Sequence, residues 1–137
     1  MIRAQLAADG KHPGSNLAAL EPAAPVEMGL LSLTATNSCM YPVFIRGQLY
    51  MAARRGAAAA AEFQKILDHR GLVQNCITGV LARLGLARAK RLDGDARAAL
   101  ASYDRLVAHW SGADAGIPVL SAARAELQRL KADAAAK

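Results

Sequence analysis

The sequence predicts an all-α chain, a stack of helical hairpins closed by a C-terminal capping helix, and three observations carry that prediction. Residues 50–69, YMAARRGAAAAAEFQKILDH, return as residues 90–109, KRLDGDARAALASYDRLVAH, forty positions later in matching register. Alanine and leucine dominate while aromatics make up only 4% of the 137 residues, and β-branched residues never alternate with polar ones as a half-buried strand requires. Glycine and proline punctuate the chain at spacings that suit helical pairs.

Read as one domain over residues 1–137, the chain divides into a partial hairpin (1–21), a connector (22–40), a first complete repeat (41–70), a second (80–110) and a cap (117–131). Residues 2–9 read as a short helix stopped by Gly10, and residues 13–20 as a second helix with Pro13 in its first turn. That first helix is much shorter than its later counterparts, so the chain reads as starting inside an ancestral helix. Pro22, Pro25, Gly29 and the polar stretch 34–38 mark the connector, with Leu30, Leu31 and Leu33 expected to pack on the stack. Residues 41–54 form the next helix, tolerating Pro42 in its first turn, and residues 57–69 complete the hairpin. Residues 71–79 link it to a helix over 80–92. Asp93 or Asp95 then caps a helix over 95–110. After a glycine-bearing loop, residues 117–131 form an amphipathic helix with Val119, Ala122, Ala123, Leu127 and Leu130 inward and Arg124, Gln128, Arg129 and Lys131 outward. The alanine-rich tail is expected to fray.

Within the repeat, small residues at Gly47, Ala87, Ala59 and Ala99 permit close helix approach, and Phe63 and Tyr103 fill the space beyond. The set Gly47, Tyr50, Ala59 and Phe63, with Leu86, Ala87, Gly94, Ala99 and Tyr103 in the second copy, resembles the tetratricopeptide repeat. Lys90 stands where that family usually has Tyr, and Arg54 where it usually has Gly. The resemblance implies a right-handed stack whose first helices line a concave surface for partners. The segments YPVFIRGQLYMAA, AAAAAEFQKILDHRG and GADAGIPVL also resemble the C-terminal repeat region that follows kinase or winged-helix modules in large bacterial signalling proteins. A glycine-rich loop, an HRD and a DFG are all missing, so the resemblance implies a scaffold without kinase activity.

Composition narrows the function further. The net charge of +6 favours acidic partners. No apolar run reaches the length of a membrane span, and the N-terminus lacks a secretory h-region. Cys39 and Cys76 form no CxxC pair, so a disulfide or zinc site has no support from spacing, and a reduced cytoplasmic setting is expected. Each reads as a small apolar side chain at a loop-to-helix junction rather than a nucleophile. His69 and His109 recur at one repeat position and read as helix-end residues that suit exposed carbonyls. Glu62, Asp68 and Asp104 are scattered rather than paired. The chain is therefore expected to be no enzyme and to need no cofactor or metal.

Arg83, Arg88, Lys90, Arg91 and Arg97 form the densest basic run. Placing first helices on the concave surface puts Arg88 and Arg91 in one groove with Tyr41, Phe44 and Gln48, where arginine selects carboxylate or phosphate. These five are the expected partner-binding residues, and the expected partner is a protein or peptide of acidic character. The alternative is a nucleic-acid-associated regulatory module using the basic helix face, which the scarcity of aromatics disfavours. Self-association through the N-terminal edge is a third expectation.

Overall fold

The computed structural model describes residues 16–28, 39–114 and 116–136, and among them the regular structure is helical throughout. A 3-10 helix, Ala18–Ala23, precedes six α-helices: α1 (Tyr41–Ala52), α2 (Gly56–Asp68), a single turn α3 (Arg70–Val73), α4 (Ile77–Leu92), α5 (Ala96–His109) and α6 (Pro118–Ala135). The expected helix over 2–9 and the connector leucines lie outside the described residues. Pro22, read as the start of the connector, sits inside the 3-10 helix.

Helix limits follow local chemistry. Pro42 occupies the first turn of α1, where its missing N–H is not needed. Asp95 caps α5, its Oδ1 accepting from the Ala98 N–H at 2.9 Å, as the sequence allowed. α4 starts at Ile77 rather than at residue 80, and the expected linker contains the short α3. α6 runs on to Ala135, past Lys131 where the expected capping helix ends, through alanines of high helix propensity.

The forty-residue echo is visible in the backbone. Leaving α1, the Ala53, Arg54 and Arg55 amides bond to the carbonyls of Leu49, Met51 and Tyr50; leaving α4, Asp93, Gly94 and Asp95 bond to Ala89, Arg91 and Lys90. Arg54 and Gly94 both take positive φ, 55° and 87°. Glycine adopts this turn without penalty, whereas a side chain costs roughly 1 kcal/mol. The first copy offsets that cost with the Arg55 guanidinium over the Tyr50 ring, 4.9 Å from its centre. The second, with Lys90 in place of the tyrosine, uses glycine and the Asp95 cap instead.

Each long helix packs on the one that follows it, and α4 also meets α1 and α6. The result is two layers, α1, α4 and α6 in one and α2 and α5 in the other. α4 is the shared wall. Ala82, Leu86 and Ala89 face a core with Phe44, Phe63 and Ile66, and Leu84 and Ala87 face one with Tyr103, Leu106 and Leu127. Phe63 is 1% exposed. A Cβ at Gly47 would lie 2.8 Å from its ring and one at Gly85 2.7 Å, so the ring is held between glycines of α1 and α4. Leu120, not among the residues expected to face inward, is buried in α6.

Residues 20–27, ahead of α1, are pinned by charge as well as by Leu20, which packs on Ile45 and Leu49. Glu27 is 4% exposed and accepts hydrogen bonds from Arg46 and Lys65. Arg46 Nε also stands 3.1 Å from Glu62 Oε2, close enough for an ion pair but too poorly aligned for a hydrogen bond. Nothing in the local pattern around Glu27 signals a buried carboxylate.

The expectation for the cysteines is corrected. Cys39 and Cys76 are joined as a disulfide, Cα to Cα 5.6 Å. They precede α1 and α4, whose N-termini stand side by side because the two helices are neighbours in one layer. The Thr78 hydroxyl, donating to the Cys39 carbonyl at 2.6 Å, ties the same edge. Spacing along the chain carries no trace of this juxtaposition. The bond removes the free-thiol premise of the cytoplasmic expectation, since disulfides persist in oxidising surroundings.

Candidate interaction groove

The α1–α4–α6 layer carries a groove built from two adjoining cavities that share Met51 and Arg88. The apolar part, about 210 Å³, is lined by Phe44, Gln48, Met51 and Leu81 over the Phe63 ring. The polar part, about 530 Å³, is lined by Arg54, Arg88, Arg91 and Arg129, with Glu126 its single carboxylate. Helical spacing explains the grouping, since Leu81, Gly85, Arg88 and Leu92 follow at three- and four-residue steps on one face of α4.

Of the five expected partner-binding residues, the structure brings Phe44, Gln48 and Arg88 to the apolar part, and Arg88 and Arg91 to the polar part. Phe44 is 6% exposed and packs tilted on Phe63, ring centres 5.8 Å apart, so little of its ring is open to a partner. Tyr41 is 37% exposed and lines neither part. Sequence reasoning missed Met51, Arg54, Leu81, Glu126 and Arg129. Arg54 and Met51 were legible as residues at the end of a first helix, but Glu126 and Arg129 enter only because α6 packs back on α4 and α5.

Arg88 is not a free groove cation. Its Nε donates to Glu126 Oε2 at 2.9 Å and its Nη2 to Oε1 at 2.5 Å, a bidentate fork. The Tyr103 hydroxyl donates to the same Oε2 at 2.7 Å. Burial alone would raise the Glu126 carboxyl, but the Arg88 and Tyr103 hydrogen bonds and the charges of Arg88 and Arg91 hold it below the usual carboxylate range. Burial, then the hydrogen bond and charge of Glu126, push the Tyr103 phenol up. Glu27 is likewise held low: burial opposes ionisation, and Arg46 and Lys65 outweigh it.

These shifts set an acid dependence. A carboxyl depressed in the folded state lets the unfolded chain bind its proton first as the pH falls. The stability from Glu27 and Glu126 is therefore complete above the ordinary carboxylate range and is lost as the pH drops through their depressed folded values. Urea midpoints measured from pH 7 to pH 3 should fall steeply for the native sequence and less steeply for Glu126→Gln. Identical profiles would remove Glu126 as a contributor.

His69 and His109 occupy helix ends. His69 follows α2, its Nδ1 2.7 Å from the Lys65 carbonyl oxygen, and His109 closes α5. Among the described residues no group of three His, Cys, Asp or Glu is placed to hold a metal, and no helix is long and apolar enough to cross a membrane. No family model, curated protein or solved structure matches the chain.

Proposed function

We propose that the chain is a noncatalytic protein-interaction scaffold, a tetratricopeptide-like right-handed stack whose concave first-helix surface takes an acidic peptide with apolar side chains. The observation that carries this reading is the groove itself, where an apolar pocket under Phe44, Met51 and Leu81 abuts four arginines opposed by one carboxylate. An extended or helical segment bearing a leucine or phenylalanine beside aspartates and glutamates is complementary to both parts. The forty-residue repetition of turn hydrogen bonds at Arg54 and Gly94 supports the repeat class. The positions carrying affinity are Arg91 and Arg129, because the Arg88 charge is already engaged by Glu126.

Fluorescence anisotropy with two labelled peptides tests it, one alternating Leu/Phe with Asp/Glu and one with Lys in place of every acid. The acidic peptide should bind, and Arg91→Glu should weaken it by about tenfold at low salt, with the effect shrinking as salt screens the pair. Equal affinity for both peptides, or indifference to Arg91→Glu in a folded variant, would rule the groove out.

A further inference from the structure

The side of α4 turned away from the groove gathers a second basic cluster. Arg70 of α3, Arg83 of α4 and Arg105 of α5 line one cavity of about 190 Å³, whose apolar lining is Leu67, Leu86 and Leu106. Arg70 and Arg83 also border an adjoining cavity of about 360 Å³ that reaches His109. Three arginines from three helices thus meet at a concave surface rather than along one solvated stripe.

Their charge is left largely uncompensated. Asp68 is the one carboxylate in the lining, and its Oδ1 already accepts from Gln64 Nε2 at 2.8 Å. Arg46 and Arg88 are each paired with a glutamate, but Arg70, Arg83 and Arg105 have no ion-pair partner among the described residues. Ser102, also in the lining, donates its hydroxyl proton to the Ala98 carbonyl. Burial and the charge of Arg70 hold the half-buried Arg83 guanidinium below the ordinary arginine value. Converging like charges against an apolar wall is unfavourable unless an anion enters.

We propose that Arg70, Arg83 and Arg105 form a binding site for a phosphoryl oxyanion, a phosphate group free or carried as a monoester, distinct from the α1–α4–α6 groove. A tetrahedral phosphoryl group offers three terminal oxygens and up to two charges to three guanidiniums. A carboxylate offers two oxygens and one charge, leaving part of the cluster unneutralised. The leucine-lined wall gives room for the carbon side of an ester.

Isothermal titration calorimetry of the full chain at low ionic strength, with phenyl phosphate, inorganic phosphate and benzoate, tests the site. Phenyl phosphate should bind with a Kd on the order of millimolar or tighter, and more tightly than benzoate. A preference for phenyl phosphate over inorganic phosphate assigns the site to esters; equal binding assigns it to the free ion. Arg83→Gln should weaken binding by about tenfold, and so should Arg105→Gln at an exposed position where folding is not at stake. Arg97→Gln, at an exposed position of α5 that lines neither this site nor the groove, should change nothing. No detectable heat, benzoate binding as tightly as phenyl phosphate, or binding that survives Arg105→Gln in a chain with native circular dichroism would overturn the proposal.

Discussion

Phe63→Ala is expected to lower the free energy of unfolding by about 3–5 kcal/mol, a large share of the roughly 5–15 kcal/mol that holds a domain of this kind together. The ring is 1% exposed and touches the positions where Gly47 and Gly85 lack a Cβ. Removing it empties the contact between α1, α2 and α4 at once. The glycines make the prediction sharper. Gly85→Ala in the native sequence should destabilise by about 1–3 kcal/mol, because the new methyl needs space the ring occupies. In the Phe63→Ala background the same change should be neutral or stabilising by up to about 1 kcal/mol, since only its helix propensity remains. Urea denaturation of the four proteins measures the coupling. Additive effects would show that Phe63 and Gly85 do not meet as described.

Opening the Cys39–Cys76 bond is expected to cost about 4 kcal/mol, the loop-closure value for the 37-residue separation. Denaturant midpoints with and without dithiothreitol, repeated on the Cys39→Ser/Cys76→Ser double variant, measure it. The reduced native protein and the double variant should agree. Equal midpoints for oxidised and reduced protein would mean that the bond contributes nothing to folding, and reactive thiols in folded protein purified under oxidising conditions would mean that it does not form. Its place matters as much as its energy, since it joins the entries of α1 and α4, two of the three helices that carry the groove. Reduction should therefore loosen residues ahead of α1 before it disturbs α5 and α6, an order that amide exchange can follow.

The all-α class was legible because its signals are local. Alanine and leucine periodicity specifies helices, Gly94 marks a left-handed turn, Asp95 marks a cap, and the forty-residue register aligns the turns at Arg54 and Gly94, which share their hydrogen-bond pattern. The groove was half legible, because Gln48, Arg88 and Arg91 sit on predictable faces of two first helices. Tyr41 was placed too near the entry of α1 to reach it, and Phe44, also counted on that surface, is spent mainly on the core. Helical periodicity separates inward from outward faces but not a core contact from a groove wall when a helix is packed on several sides.

Other features had no local signal at all. Glu27 is a buried carboxylate in a proline-bearing stretch, intelligible only beside Arg46 and Lys65. The disulfide joins two cysteines with no diagnostic spacing, and Arg70, Arg83 and Arg105 meet across three separate helices. By itself the sequence determined the helical class and the turn chemistry, because these depend on residues a few positions apart. Tertiary structure alone decided which charges are paired, which converge unpaired and which thiols meet, because those outcomes depend on how α1, α4, α5 and α6 pack on one another.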